Sequence, residues 1–377
     1  MQEILHLCTL LGAVQGIFFS LVLLRLRGGN RAANRFLALF LSAFSLSMLG
    51  IVAYASRWVL QVPHLALLHT PLGAVLGLPF LLYVAAQSKK DFRMNGWHWA
   101  LSLPFWIVLV WLLPFYALPA EGKQQVLEAS YVALPETWRQ IFVFSNLANF
   151  GYLAASYVLV LRHERVIREV YSSPLNKTLL WTRHFLYGGT AIFVLCVLMS
   201  FYDITWADSF SNFNFSLLIY VFGYRAMRQP DIFADVGAES LPDTVALPLV
   251  RPSGKYEKSG LSEVRANALL ERLEQLMAGE KIFLDPTLNL PQLAERLDVP
   301  PHQVSQLLNQ FRGESFSDFV NRYRVEQFKK AAADPANAHL TLLGLAFDCG
   351  FNSKAAFNVV FKKMTGLTPS DFVKQAQ

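Results

Sequence analysis

The sequence predicts an all-α protein: a seven-transmembrane-helix bundle followed by a cytoplasmic domain in which two helix-turn-helix units are joined by a linking helix. Three observations predict it. Seven apolar stretches, each near the ~20 residues that cross a bilayer core of about 30 Å, fill the chain up to Arg228. Lys and Arg are divided unevenly among the short segments between them. From Leu288 onward, continuous apolarity gives way to short amphipathic repeats of helical period.

The chain has 377 residues, 54% of them hydrophobic, and a positive mean hydropathy of 0.33, above the usual soluble range. That average hides two halves. Through Arg228 there are 17 Lys plus Arg against 9 Asp plus Glu; from Gln229 there are 16 against 18. The basic excess therefore belongs to the apolar half, where it points to membrane orientation rather than to nucleic acid.

The seven spans fall at 4–24, 36–55, 65–86, 97–118, 141–161, 185–206 and 210–226, the last interrupted by Asn212 and Asn214. One set of alternate connections holds 14 basic residues, among them Arg25, Arg35, Lys89, Arg162, Lys177 and Arg228, and the other set holds only Arg57, Lys123 and Arg139. Because Lys and Arg resist translocation, this places the N-terminus outside and everything after Arg228 in the cytoplasm of a bacterial inner membrane. Glu3 before the first span and Arg25 and Arg27 after it reverse the charge order of a cleavable signal, so the span is expected to stay. Trp58, Trp97, Trp99, Trp138 and Trp206 lie near span ends, where amphipathic rings favour headgroups.

Polar residues in hydrocarbon are expensive, so Gln15, His69, Asn146, Asn149 and Asp203 are candidates for sensing a small-molecule or envelope signal. The competing reading is that amides and a neutral imidazole hold helices together. No phosphate loop, HExxH motif, paired intramembrane carboxylates or serine/histidine motif occurs, so no enzyme is expected. Cys8, Cys196 and Cys349 are far apart and outside any zinc spacing, so neither metal nor cofactor is expected.

Four regions follow: 1–228 in the membrane, a cytoplasmic linker at 229–260 rich in Pro, Gly, Ser and acids, a connecting helix within 261–285, and a DNA-binding domain at 286–377. The connecting helix opens at Ser262, ends near Gly279, and aligns Ala266, Leu269, Leu273 and Leu276 on one face. That face suits packing on the following domain better than a coiled coil of fewer than three heptads.

In "LNLPQLAERLDVPPHQVSQLLNQF", Leu290, Leu293, Ala294 and Leu297 repeat at helical spacing, then Val304, Leu307, Leu308 and Phe311 do so again. Asp298 to Pro300 supply the turn between them. The second helix would turn His302, Gln303, Ser305, Gln306 and Asn309 outward. The linking helix, 317–334, would bury Phe316, Phe319, Tyr323 and Phe328. In "LAFDCGFNSKAAFNVVFKKMTGLTPSDF" the design returns: Cys349 and Gly350 turn the chain, Ser353 caps, Phe357, Val360, Phe361 and Met364 face inward, and Lys354, Ala355, Asn358, Lys362 and Lys363 remain outside. Thr368, Pro369 and Asp371 open a final helix.

Residues 286–374 resemble the AraC-type transcription regulators through Gly-Phe-x-Ser, the Phe-x-x-x-Phe-Lys run and the Gly-x-Thr-Pro ending. The seven spans and the "KYEKSGLSE" run look like the family's membrane-embedded branch. The resemblance implies base reading by His302, Ser305 and Gln306 in the first unit and by Lys354, Ala355 and Asn358 in the second. Gln and Asn can pair with adenine and Lys can donate to guanine. Arg312, Arg322, Arg324, Lys362 and Lys363 are candidate phosphate contacts. Pro300 departs from the family's usual capping Ser and Val359 from its usual Arg, and the first recognition helix lacks basic residues, so a second site or a homodimer is called for. The expected partners are double-stranded DNA, the lipid bilayer and RNA polymerase. A signal would pass through the linker and connecting helix. A transporter or channel carrying a DNA-binding tail, and a regulator released by proteolysis, stay open as alternatives.

Overall fold

In the computed structural model the described residues are 2–26, 30–89, 92–172, 180–200, 214, 217, 219–221, 223–224, 263–337 and 339–376. Among these, no strand occurs beyond one antiparallel bridge between Tyr171 and Asn289. The chain divides into two compact units, Met1–Val160 with Leu179–Ala234, and Leu161–Thr178 with Asp235–Gln377.

The first unit begins with α1 (Gln2–Arg25) and α2 (Arg31–Ala55). They are antiparallel: Ser20 Oγ donates to Ala38 O at 2.9 Å, while nearer the start of α1 a Cβ at Gly16 would collide with Ser45 Oγ. Next come α3 (Thr70–Gly73) and α4 (Gly77–Ser88), which return along α2, with Phe40 against Phe80 at 5.5 Å and Asn30 Nδ2 on Ala86 O at 2.7 Å. Then follow α5 (Gly96–Ala100), α6 (Leu103–Tyr116), α7 (Ala120–Ser130), α8 (Glu136–Val170) and α9 (Leu180–Ser200).

The polarity of α1 is inverted relative to a helix in water. Leu7, Leu11, Val14, Phe18 and Leu21, on one stripe at alternating spacings of four and three, are 59%, 57%, 57%, 53% and 55% exposed. Thr9, Ala13 and Ser20 are buried against neighbours. Phe19 and Leu23 are buried with them, so the inner face mixes small, hydroxyl and large apolar residues while the outer face is apolar, as expected when hydrocarbon is the solvent.

Four stretches, His6–Arg25, Arg31–Ala55, Gly96–Tyr116 and Glu136–Val170, are long and apolar enough to cross a bilayer, and a pair bent by 40°, Pro63–Gly73 with Gly77–Ser88, makes up to 5 among the described residues. These correspond to the first five expected spans. The third is broken rather than continuous, because Pro63, Pro71, Gly77 and Pro79 interrupt it. The sixth overlaps α9, which starts earlier than expected and is not among these candidate spans; residues 201–206 and most of the seventh stretch lie outside the described residues. Seven crossings are thus not seen as such.

The break in the third span opens backbone groups in an apolar setting, and Asn149 closes them. Its Oδ1 accepts from Gly77 N at 2.8 Å and its Nδ2 donates to Gly73 O at 2.8 Å. At the far end of α6, α7 covers an aromatic cluster in which Tyr54 and Tyr131 stack at 4.7 Å and Tyr54 Oη lies 2.8 Å from Ser130 Oγ.

The second unit contains α10 (Glu263–Gln275), extended by a π-helical turn at Leu276–Glu280, then α11 (Leu290–Leu297) and α12 (Pro301–Gln306), which widens into a π turn at Leu307–Arg312. The linking helix α13 (Phe316–Ala333) precedes α14 (Leu342–Asp348), α15 (Lys354–Thr365) and α16 (Pro369–Ala376). Ala266, Leu269, Leu273 and Met277 of the α10 region join the core of α11 and α12, so the connecting helix packs on its own unit as expected. Ser262 and the 229–260 linker lie outside the described residues.

Two apolar cores share α13. Phe316, Phe319 and Val320 belong to the first with Leu293 and Leu307; Val325 and Phe328 belong to the second with Phe351, Phe357 and Phe361. Between them sits Arg324, fully buried. Its Nε donates to Phe283 O at 2.7 Å, its Nη2 to Asp285 O at 2.7 Å and to Ser172 Oγ at 3.1 Å, and its Nη1 to Asn321 Oδ1 at 3.4 Å. Burial pulls its pKa down to about 10, which still leaves it charged at neutral pH. Gly350, at φ +89°, passes so close that a Cβ there would press on Phe283 O and on Arg324 Nε, 2.9 Å away. The expectation that Arg324 touches a phosphate is corrected: its neighbours are protein carbonyls, and no water-facing surface remains.

Two predictions follow from these buried polar contacts. Asn149→Leu strands two backbone groups in the bundle and should cost roughly 2–6 kcal/mol, read as a lower melting temperature of the detergent-solubilised chain; an unchanged value would remove Asn149 from this role. Arg324→Leu deprives two buried carbonyls of their donor and should cost the second unit roughly 2–4 kcal/mol, measured as lost amide exchange protection in α13 and α14. Undiminished protection would show that the two cores do not depend on it.

Candidate nucleic-acid interface

Each candidate reading helix is placed by local chemistry. Asn289 caps α11 by accepting from Gln292 N at 3.0 Å while Gln292 Oε1 accepts from Asn289 N at 3.0 Å. Asp298 ends α11 in the left-handed region, at φ 56°, and Pro300 and Pro301 start α12. In the second unit, Thr341 caps α14, the chain turns at Cys349 and Gly350, and Ser353 Oγ accepts from Ala356 N at 3.2 Å to start α15. Phe328 meets Phe357 at 4.7 Å and Phe361 at 5.4 Å, which sets the roll of α15 about its axis. Gly366 ends α15 at φ 79°, and Thr368 and Asp371 open α16. The Cys349 thiol is buried and pushed up to about 11, in keeping with a packing role.

That roll leaves Lys354, Ala355, Asn358 and Val359 exposed on the face of α15 away from the core. On α12, His302 and Asn309 are exposed, Ser305 is half-buried, and Asn309 Nδ2 donates to Ser305 Oγ at 3.3 Å. Gln306 is not on this face: it is 4% exposed, with Nε2 donating to Gln310 Oε1 at 2.9 Å. Gln303 is half-buried and its Oε1 is sealed from solvent. Of the expected base readers, Gln306 is therefore corrected to an inward position, and Gln303 does not offer its amide oxygen to solvent.

The candidate phosphate contacts differ in state. Arg312 pairs with Glu274, Arg322 with Glu314 at 2.8 Å, and Lys363 with Asp318 at 2.5 Å. Arg322 also lies over the rings of Phe319 and Tyr323, at 5.4 and 5.1 Å. Lys362 is exposed with no ion pair among the described residues. Part-exposed pairs of this kind contribute about 0–1 kcal/mol, so a phosphate can replace the carboxylate at little cost. The pairs hold the cations in place and lower the free positive charge.

Sequence periodicity overlooked the polar stripe Ser317, Asn321 and Arg324 on α13, all buried. Their spacing of four and three residues puts them on one helical face, and that regularity was the available signal.

In the apolar unit, the candidates for sensing are not gathered into one site. Asn149 is engaged with backbone, and Asn146 Nδ2 donates to Phe142 O at 2.8 Å within its own helix. Gln15 is half-buried, and Asp203 lies outside the described residues. His69 lines an apolar cavity of about 400 Å³ with Leu46, Gly50, Tyr54, Trp58 and Leu65. Among the described residues no cluster could hold a metal ion.

Comparison with known proteins agrees with this geometry. Residues 293–375 match a family described as a helix-turn-helix domain. The chain is 33% identical over 117 residues to the "Uncharacterized transcriptional regulatory protein YesN" of Bacillus subtilis (strain 168), a match covering 31% of this chain and 30% of that protein. No solved structure matches the chain. The C-terminal region thus carries a helix-turn-helix domain, and these likenesses support an AraC-type, DNA-binding transcription regulator.

Proposed function

We propose that the chain is a membrane-embedded transcription regulator in which a seven-helix domain, N-terminus outside, controls a cytoplasmic pair of DNA-reading helices. The observation that carries this is the coexistence in one chain of the exposed apolar stripe on α1 and the paired units built on α13. A stripe of that kind on a helix long enough to cross a bilayer suits lipid; a capped α15 with outward Lys354 and Asn358 suits the major groove.

In this reading α15 supplies most of the direct readout, through Lys354 to guanine and Asn358 to adenine, with Ala355 and Val359 as apolar contacts to thymine methyls. His302, Ser305 and Asn309 form the weaker reading face of α12. Lys362, Lys363, Arg312 and Arg322 neutralise phosphates as their carboxylate partners let go. Because α12 lacks basic residues, tight binding calls for a second site or a second copy of the chain, and the family likeness makes RNA polymerase the natural downstream partner. The His69 cavity is a candidate place for a small apolar signal. Such a ligand acts only if it binds two states of the bundle unequally.

Crosslinking of the intact protein to DNA across the genome should recover discrete sites; recovery no better than from a chain lacking residues 286–377 would refute the reading. At a recovered site, Asn358→Ala should weaken binding by roughly 1–3 kcal/mol and relax the preference at one base pair. Lys362→Ala should weaken all sequences alike and lower the salt slope by about one. Reporter fusions should put residues 120–135 outside and 230–250 inside; a periplasmic 230–250 would sink the orientation and the regulatory reading with it.

A further inference from the structure

The polar stripe on α13 does not serve the linking helix alone; it receives a segment from elsewhere in the chain. The apolar helix α8 runs on to Val170, and residues 161–178 group with the second unit rather than the first. Directly after α8, Tyr171 pairs with Asn289 in the antiparallel bridge, and Ser172 lies on the stripe. Both are buried, at 4% and 1% exposure.

Every polar atom of Ser172 is used there. Its N–H and Oγ both donate to Leu288 O, at 3.3 and 2.6 Å. Its carbonyl accepts from Asn321 Nδ2 at 2.9 Å and from Ser317 Oγ at 3.3 Å, and its Oγ accepts from Arg324 Nη2 at 3.1 Å. One residue therefore touches the connection into α11, next to the cap Asn289, and three side chains of the helix common to both units. A chance surface contact would not be expected to satisfy donors and acceptors this completely.

We propose that the groove formed by Leu288, Asn289, Ser317, Asn321 and Arg324 is a docking site for the Tyr171–Ser172 segment, and that this docking is the route by which α8 acts on the double helix-turn-helix. The inference rests on the regulatory reading above and changes its route. The expected path through the linker and the α10 helix would enter the first of the two cores, which holds Ala266, Leu269 and Leu273. The Ser172 path joins the unit at Arg324, between the two cores, where a small displacement alters both reading helices together. Withdrawal of the segment removes one acceptor each from Arg324, Asn321 and Ser317, so docked and undocked states differ in the polar contacts between the cores. A signal that favours one state over the other is then transmitted as an altered affinity for DNA.

The test uses the full-length chain in membrane vesicles. Directly opposed residues in an antiparallel bridge are about 4.5–5.5 Å apart at Cα, within reach of a disulfide. Tyr171→Cys with Asn289→Cys should therefore form an internal disulfide on mild oxidation, identified by peptide mapping. Recovery of DNA sites by the oxidised form should differ about five-fold or more from the reduced form, reversibly, while the two single variants respond to neither reagent. Failure of the disulfide to form would overturn the docking, whether or not DNA is bound. A disulfide that forms yet leaves DNA recovery unchanged would overturn the coupling and spare the regulatory reading, which falls only if the wild-type chain recovers no sites. Ser172→Val and Ser172→Thr give an independent check, because Thr keeps the hydroxyl and Val does not. Thr should stay within about two-fold of wild type and Val should shift recovery about five-fold; equal behaviour of the two would overturn the role of the hydroxyl.

Discussion

A guanidinium sealed from water must be surrounded by acceptors, and Arg324 recruits them from separate parts of the chain. Transfer of such an ion out of water costs several kcal/mol even after relaxation, so the fork must keep most of its acceptors in the folded state. They come from the turn at Phe283 and Asp285, from Asn321 one turn away and from Ser172. The close approach of Gly350 adds the turn of the second helix-turn-helix to the same point. The relative placement of the two reading helices therefore depends on a polar centre between two apolar cores. Apolar packing alone could tolerate sliding; directional hydrogen bonds to a planar fork tolerate it far less.

The apolar unit solves the opposite problem. Leu7 and Phe18 stay outside, as they would where hydrocarbon is the solvent and burying them brings no hydrophobic gain, and Gly16, Ser20 and Ser45 pack closely between the helices. Backbone breaks must be repaired from within the protein, and Asn149 does so across the bend between α3 and α4. An amide that looks like a ligand contact when read in one dimension is a substitute for a missing turn of helix.

The reading surface is weakly charged for a nucleic-acid interface. Glu274, Glu314 and Asp318 occupy cations that would otherwise attract phosphate indiscriminately. In the proposed reading, low nonspecific affinity reduces competition from bulk DNA and leaves discrimination to Lys354 and Asn358. Val359, exposed beside them, is apolar and adds no hydrogen-bonding group to that face of α15.

What the sequence determined by itself is the set of features with a local cause. The periods of Leu290 to Leu297 and Phe357 to Phe361, the caps at Ser353 and Thr368, and the glycine turn at 350 all act within a few residues, and each appears where it was expected. The first five apolar stretches were legible for the same reason, whereas the bend in the third was visible only as a scatter of Pro and Gly. Exposure of Lys354 and Asn358 followed from the period of α15. The inward turn of Gln306 and the burial of Arg324 did not, since polar residues read as outward until a partner is known. Tertiary structure decided those, and it decided the meeting of Ser172 with Leu288, 116 residues further along. Periodicity records which face of a helix avoids its solvent; it carries no information about which distant donor or acceptor will complete a buried polar group, because that choice is made only when the helices pack.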